Sequence, residues 1–358
     1  MAYDVYRPKS RRGKRLRRIL TALLLAAVIA AIALFFICQK YLVYTADGVR
    51  IDPKAASAAA SAGSTPAPAV TPEVVEVEVE IGKTDYTTLV TDAGTGLSAL
   101  HGRYLTADQI SPENLQAAAA QIKTAGGDLL VLQMKPAGGK LTWKSGVALT
   151  DEFGTNGAKE LQDTLQTLRD DGVHFAAVVS CCVDTTLASS KPELALKTAG
   201  TPYADGSGGW VNPASEDVQQ YLSALCKELA DMGFEEIFCS FMQTPASTAD
   251  LELGEDVTRS DAVMGLAKNL RRSLRGTGAK LSVICSVDSV AFDRANLTGQ
   301  ELSLLPRVFD RLCVFTDAAT LTLLEGKMTD AYPDLDTETR VVPFIPAKRD
   351  AGSWILTI

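Results

Sequence analysis

The stretch from Trp210 to Pro245 decides the fold: W-V-N-P-A-S-E-D-V-Q-Q-Y-L-S-A-L-C-K-E-L-A-D-M-G-F-E-E-I-F-C-S-F-M-Q-T-P. Asn212 and Pro213 resemble a helix start, because Asn caps well and Pro is tolerated in the first turn. Gly233 suits a left-handed helix end. The apolar run from Ile237 to Met242 is typical of a buried parallel strand. Between them, one apolar stripe recurs at helical spacing, namely Val218, Tyr221, Leu222, Leu225 and Leu229. The stretch predicts half of a βαβ unit.

The same alternation of buried strands and helical patterns extends over the chain from Leu97 to its last residue. Eight strands over about 260 residues are the size of one TIM barrel, which typically has about 250 residues. The sequence therefore predicts an α/β fold, a TIM (β/α)8-type barrel. The predicted strands are Leu97–Tyr104, Leu129–Met134, Phe175–Cys181, Ile237–Met242, Leu281–Val287, Leu312–Thr316, Val341–Ile345 and Trp354–Ile358.

The predicted barrel is degenerate at its C-terminal end. Only Pro346–Ser353 separates the last two strands, which is too short for a crossover helix, and we expect no eighth helix after Ile358. The main alternative is a doubly wound open sheet. No glycine-rich phosphate turn follows the first strand, so the usual ligand argument for that fold is missing.

The stretch from Trp210 to Pro245 also resembles a bacterial exported family of glycoside-hydrolase-like proteins with a TIM-barrel domain. That family has W-V-D/N-P, a helix, and then G-F-D-E-I-Q-F-D-Y-I-R-F-P, and the apolar scaffold positions match here. Ser240 stands where the family has aspartate, and Gln243 where it has arginine. At the end of the second strand the family has the motif D-V-K-D-D-D-G. This sequence keeps the lysine of that motif, as Lys135, and its glycine, but none of its aspartates. Ile284 replaces another family aspartate. The resemblance implies a barrel for glycans that has lost most of its site acids.

Three aspartates could still act at the C-terminal ends of the strands, where TIM-barrel sites lie. Asp184 follows the third strand, Asp288 the fifth and Asp317 the sixth, and these are the candidate catalytic residues of an active hydrolase. The alternative interpretation is that Asp184 and Asp317 cap the following segments, as aspartate after a strand commonly does.

Five further residues are candidates for substrate binding: Lys135, Trp143, Trp210, Ser240 and Gln243. The two tryptophans could stack on sugar rings near the rim. The alternative is that each belongs to the local core at the base of a loop. A structural zinc site is not expected, because the sequence lacks a C-x-x-C pair. No other metal and no cofactor are predicted.

The N-terminal segment predicts a membrane anchor. Residues 1–18 form a basic tail that should stay cytoplasmic, and residues 19–38 form the transmembrane helix, with no charged side chain. The predicted location is the cell membrane, with a single pass and the barrel outside. A cleaved signal peptide is the alternative, although its apolar region would be shorter and would precede a small-residue cleavage site.

Residues 39–72 form a predicted Ala/Ser/Pro linker, because the stretch has too few large apolar side chains to fold. Residues 73–358 form the predicted extracytoplasmic domain. Its first segment, from Glu73 to Ile81, alternates Val and Glu like a half-buried strand that could cover the barrel floor or pair at an edge. A solvated acidic spacer is the alternative.

Charge and cysteine usage restrict the partners. Residues 1–40 contain nine Lys/Arg and one Asp, a net of +8, which leaves −16 for the rest of a chain of formal charge −8. An acidic surface argues against nucleic acid and anionic polymers. We read the seven cysteines as small buried apolar residues.

The leading prediction is a barrel that binds envelope glycan or polysaccharide with little hydrolysis. An active hydrolase and a structural partner of an envelope protein are the alternatives.

Overall fold

The computed structural model describes residues 42–45, 48–51 and 93–357. Strands β1 (Leu42–Thr45) and β2 (Gly48–Ile51) pair antiparallel as a hairpin within the predicted linker, where the sequence analysis expected no strands. The predicted transmembrane span and the Val-Glu segment lie outside the described residues. Within the described parts of the chain, no helix is both long and apolar enough to cross a membrane.

The part of the chain from residue 93 to residue 357 forms twelve strands. Eight close into a parallel barrel, and the other four, β6 to β9, form two small antiparallel sheets. The strands are β3 (His101–Leu105), β4 (Leu129–Lys135), β5 (His174–Ser180), β6 (Lys197–Thr198), β7 (Thr201–Pro202), β8 (Ala204–Asp205), β9 (Gly208–Gly209), β10 (Glu236–Ser240), β11 (Lys280–Ile284), β12 (Leu312–Phe315), β13 (Val341–Ile345) and β14 (Trp354–Leu356). Pairing of β14 with β3 closes the barrel, which confirms the predicted TIM-type fold.

Helices connect most neighbouring barrel strands. In chain order they are α1 (Pro112–Ala125), α2 (Ala148–Glu152), α3 (Gln162–Asp170), α4 (Thr185–Ser190), α5 (Glu216–Asp231), α6 (Arg259–Ser273), α7 (Val287–Ala291), α8 (Ala295–Thr298), α9 (Ala318–Ala331) and α10 (Thr337–Arg340). Between β13 and β14 the described chain forms no helix, as predicted. The connecting loop instead bonds back to the preceding helices: Ser353 N–H donates to Glu338 O at 2.9 Å, and Arg349 lies 3.1 Å from Glu325.

The stretch from Trp210 to Pro245 forms the predicted helix and strand, but the helix begins later than predicted and the strand ends at Ser240 instead of Met242. Asn212 does not cap α5. Its Oδ1 accepts the N–H of Ala214 at 2.9 Å in a local turn, and Ser215 is the N-cap. The apolar stripe of α5 is fully buried, and Gly233 adopts a φ of +91° immediately after the helix.

Alternation along the strands separates two cores. The barrel interior holds Val131, Val178 and Phe238, whereas Cys239 packs with the helices outside. Since neighbours on a strand face opposite sides, Ser240 follows Phe238 on the interior side, as predicted. Each of the six cysteines in the described chain is buried and free.

The N-terminal ends of the strands form the barrel floor, where a buried ion pair joins Glu236 to Arg311. Ser282 Oγ also donates to Glu236, and Arg311 Nη2 donates to Ser98 O at 2.8 Å. Burial raises the pKa of Glu236 above its ordinary value, although Arg311 opposes the shift. The floor is therefore built around charged groups that water does not reach.

Both histidines lie at strand starts near this floor. The ring of His101 stacks on Trp354 with centroids 4.9 Å apart. His174 Nδ1 lies 2.6 Å from Glu235 Oε1, and this hydrogen bond raises the pKa of His174. Neither lies at the C-terminal ends of the strands, where a TIM-barrel site would be.

Candidate active site at the C-terminal ends of the strands

The strands β4, β5 and β10 end side by side and bring the first candidate residues together. Ser240 is in register with Ser180, and Lys135 with Val179 after an irregularity in β4. The connection from β5 to α5 then carries α4 and the two small sheets across this end of the barrel. The segment contains Asp184 and Trp210, so the fold places both near the same strand ends.

Lys135 and Asp184 form a fully buried ion pair. Lys135 Nζ lies 2.9 Å from Asp184 Oδ2, with side-chain exposures of 0% and 1%. The ammonium also donates to Ser180 O at 2.8 Å. Its contact with Oδ2 is close enough for an ion pair but lacks the angles of a hydrogen bond, since that oxygen has no hydrogen-bond partner among the described residues. Lys135 therefore neutralises a carboxylate beneath the surface, which corrects its assignment to substrate binding.

Asp184 is also the N-cap of α4, which confirms the capping interpretation. Its Oδ1 accepts the N–H of Leu187 at 2.8 Å. Gly139 approaches the same oxygen: a Cβ on this glycine would lie 1.9 Å from Oδ1, and its φ is +94°. In the sequence, the only sign of this contact was that the glycine of the family motif is kept after Lys135. The structure explains why a glycine is needed there, since any side chain at Gly139 would collide with Asp184.

Gly139→Ala is expected to lower the free energy of unfolding by about 2–3 kcal/mol, because the new methyl group clashes with a fixed carboxylate in a left-handed backbone. Urea unfolding followed by circular dichroism measures this change. The adjacent Gly138 is the matched control, since a Cβ there would have no atom within 4 Å. Gly138→Ala should stay within about 0.5 kcal/mol of wild type. Equal losses in both variants would contradict the steric explanation.

Asp317 and Asp288 are engaged locally. Asp317 caps α9 by accepting the N–H of Thr320 at 2.9 Å, and this hydrogen bonding lowers the pKa of its carboxyl. Asp288 lies in α7, where its Oδ1 is 3.3 Å from Arg294 Nη1. Asp317 is thus a cap, as the alternative interpretation predicted. No described contact joins either carboxylate to Asp184.

The two candidate tryptophans are buried in the core. Trp143 is 1% exposed, and its Nε1–H donates to Glu228 Oε2 at 3.0 Å. Trp210 is 2% exposed and meets Phe241 edge-on, with centroids 6.2 Å apart. Neither ring has the free face that stacking on a sugar requires. This corrects their assignment to substrate binding and fits the local-core alternative.

The end of β10 has an unusual backbone. Phe241, directly after Ser240, has a φ of +48°, a conformation that costs a bulky residue about 1–3 kcal/mol. Ser240 is half-buried, and Gln243 is buried with 9% exposure. Of the two polar candidates, Ser240 is the better exposed.

Aromatic rings fill the barrel mouth, a feature the sequence analysis missed. The ring of Phe344 lies 4.4 Å from that of Phe315, 5.7 Å from Tyr104 and 5.8 Å from Phe238, measured between centroids. Burial raises the pKa of Tyr104 to about 12. Phe315 is 39% exposed and forms the outer surface of this cluster. The available signal in the sequence was an aromatic residue at an inward-facing position of β3, β10, β12 and β13.

Open cavities occur at the opposite end of the barrel. A groove of about 620 Å³ is lined by Gly94, Tyr332 and Arg340, and a cavity of about 270 Å³ by Leu100, His174 and Arg311. These residues precede their strands or begin them, so the cavities belong to the floor. Their size does not make them the active site, because TIM-barrel chemistry occurs at the C-terminal ends.

The sequence from β3 to β12 is similar to a known protein family. The family model described as "Putative glycosyl hydrolase domain" matches residues 102–316. The chain belongs to this family. The match confirms the resemblance inferred from the Trp210–Pro245 stretch, and it spans six of the eight barrel strands, from β3 to β12.

Two solved structures of glycoside hydrolases, with TM-scores of 0.53 and 0.50, share the fold of this barrel. The PgaB (BpsB) glycoside hydrolase domain from Bordetella bronchiseptica is 10% identical, with a TM-score of 0.53 over 72% of this chain and 94% of that chain. The GH36 alpha-galactosidase AgaA from Geobacillus stearothermophilus is 13% identical, with a TM-score of 0.50 over 76% of this chain and 40% of that chain. A hypothetical protein from Ruminiclostridium thermocellum is 25% identical over 51% of this chain and 96% of that chain, with a TM-score of 0.47. No curated protein matches the chain in sequence.

Proposed function

We propose that this barrel binds a neutral glycan at its mouth and hydrolyses it slowly or not at all. The observation that carries the proposal is the state of Asp184, which is buried, paired with Lys135 and used as a helix cap. Membership of a glycosyl hydrolase-like family supports a glycan as the ligand. The chemistry of the mouth argues against efficient cleavage.

Glycoside hydrolysis usually requires two carboxyl groups that flank the bond, about 5–9.5 Å apart, one of them with a raised pKa to protonate the leaving oxygen. Asp317 has the opposite property, since hydrogen bonds from Thr320 lower its pKa. Asp288 pairs with Arg294, and Asp184 is withdrawn from solvent. None of the three has the environment of a general acid.

Binding has a different structural basis from the one the sequence analysis named. Lys135, Trp143 and Trp210 are too deeply buried to contact a glycan. The partly exposed ring of Phe315, backed by Phe344, offers an apolar face at the mouth, and Ser240 offers a hydroxyl. The formal charge of −16 outside residues 1–40 disfavours an anionic polymer as the ligand.

The proposal includes a position in the cell. The apolar run 19–38 behind a basic tail supports a single-pass anchor with the barrel outside. Cell fractionation should recover the full-length chain in membranes, and protease added outside intact cells should remove the barrel. A soluble product starting near Gln39 would instead favour signal-peptide cleavage.

The decisive test is a glycan screen with the full-length chain, measuring both binding and the release of new reducing ends. We expect binding of at least one neutral polysaccharide without release. Asp288→Asn and Asp317→Asn are assayed beside wild type, with circular dichroism to confirm folding. Turnover that either substitution abolishes while binding persists would establish an active hydrolase instead. A failure to bind any glycan would reject the binding function.

A further inference from the structure

Exposed large apolar side chains are confined to one sector of the described barrel. Between residues 93 and 357, four side chains of this kind are exposed: Val287 (42%), Phe292 (63%), Phe315 (39%) and Leu323 (45%). They belong to α7, the residue that ends it, the end of β12, and α9. We call these four residues the β11–β12 surface. Clustering of this kind marks a binding surface more often than scattered exposure does.

Ion pairs hold Phe292 in place. Asp293, with a φ of +52°, turns the chain after Phe292 and pairs with Lys327 of α9. Arg294 N–H donates to Asp288 O at 3.0 Å, and its side chain pairs with the Asp288 carboxylate at 3.3 Å. The exposed ring therefore lies on a turn that these two ion pairs hold in one conformation. Binding a ligand there would require little ordering of the chain.

The β11–β12 surface is connected to the mouth. Strands β11 and β12 are neighbours, with Ile284 in register with Cys313. Phe315 belongs to both the surface and the aromatic cluster, since its ring lies 4.4 Å from Phe344 and 5.4 Å from Tyr104. Aromatic faces thus occur both at the barrel axis and on the outer rim of one sector.

We propose that Phe292 forms an outer subsite for a pyranose unit of a neutral glycan chain whose inner end lies on Phe315. This proposal rests on the proposed function and adds the course of the chain across the mouth. A pyranose has an apolar face of C–H groups and a rim of hydroxyls. Arg294 lies over one face of the Phe292 ring, with its guanidinium 5.7 Å from the ring centroid, so the opposite face supplies the matching apolar surface. Arg294 supplies hydrogen-bond donors at the edge of the ring.

The surrounding charges favour this occupant over a lipid surface. Anionic lipid attracts clustered unpaired Lys and Arg. Here Lys327 and Arg294 are each paired with an aspartate, and Asp288 and Asp293 add acceptors that suit hydroxyl groups. The acidic balance of the chain outside residues 1–40 points the same way.

The test measures affinity as a function of glycan length. The full-length chain in phosphatidylcholine nanodiscs is titrated calorimetrically with cello-, xylo- and chito-oligosaccharides from disaccharide to hexasaccharide. For the series that binds, Phe292→Ala should weaken the hexasaccharide about tenfold and leave the disaccharide within about twofold. Phe292→Tyr, which keeps an aromatic face, should retain wild-type affinity. Leu323→Ala is the matched control, because Leu323 is exposed on the same surface but is not part of the proposed subsite, which consists of Phe292 and Phe315; it should change the affinity for neither oligosaccharide.

The possible outcomes separate this proposal from the proposed function. Wild-type binding that Phe315→Ala weakens but Phe292→Ala does not would overturn the outer subsite and leave glycan binding intact. The absence of any wild-type binding would overturn both. Equal weakening by Leu323→Ala would show that the loss is not specific to the Phe292 ring and would overturn the subsite. A change in oligomeric mass caused by Phe292→Ala, measured by light scattering, would show that the surface binds a second copy of the chain and would also overturn it.

Discussion

Lys135→Met is expected to destabilise the barrel by about 3–5 kcal/mol, the usual cost of leaving a buried charge without its partner. Lys135 Nζ is the cation that faces Asp184 Oδ2, and both side chains are excluded from water. Methionine fills a similar volume but cannot offset the carboxylate. Urea unfolding, followed by circular dichroism, gives the difference in free energy between variant and wild type.

The same prediction has an internal control in the double variant. Asp184→Asn keeps a side chain that caps helices well, so it should preserve the start of α4 while removing the negative charge. Lys135→Met combined with Asp184→Asn should therefore be less destabilised than Lys135→Met alone, since no buried charge remains. A double variant as unstable as the sum of the two single variants would indicate that packing, rather than charge, explains the loss.

If the prediction holds, Asp184 is maintained as a structural group in a position where a TIM barrel could place a catalytic acid. The charge of Lys135 and the close approach of Gly139 both depend on the same carboxylate. A catalytic acid needs access to the leaving oxygen of its substrate. Asp184 lacks this access, because its carboxylate is buried, where it pairs with Lys135 and caps α4. This burial is the physical basis of the slow-hydrolysis proposal.

The sequence predicted those features that depend on local rules. Buried strands are short apolar runs, and all eight were found because each run is continuous in the chain. The caps at Asp184 and Asp317 follow from hydrogen bonds to residues three positions later. The start of α5 was placed too early, because Asn212 makes a turn that resembles a cap in sequence.

The site was predicted less well because its contacts join distant positions. The indole of Trp143 bonds to Glu228, 85 residues later, so the sequence alone could not show that the ring faces a helix. Lys135 and Asp184 likewise come from different strand ends. The aromatic cluster at the mouth combines β3, β10, β12 and β13, and it requires the barrel to be closed before its members meet.

The second prediction with a large expected change in stability concerns the floor of the barrel. Arg311→Met should destabilise the protein by about 3–5 kcal/mol near neutral pH, because Glu236 would then have to stay charged in the buried floor without its cation or take up a proton on folding. Besides Glu236, Arg311 binds two backbone carbonyls, with Nε–H donating to Thr339 O at 2.9 Å and Nη2–H to Ser98 O at 2.8 Å. Part of the lost stability will therefore come from the loss of these two hydrogen bonds. Measuring the destabilisation as a function of pH separates the part that is due to the charge of Glu236.

The pH dependence of Arg311→Met identifies that share. Burial already raises the pKa of Glu236 above its ordinary value of 4.5, and Arg311 is the nearby cation that limits the rise. A carboxyl group whose pKa is higher in the folded state stabilises the fold below its unfolded pKa and loses this contribution as the pH rises through the folded pKa. The cost of Arg311→Met should thus be smallest below the pKa of Glu236 in the folded wild type, where Glu236 is protonated in both proteins, and grow above it. Adding Glu236→Gln should abolish this slope, because glutamine has no proton to lose. A cost that stays constant with pH would assign the whole effect to the lost carbonyl contacts and packing.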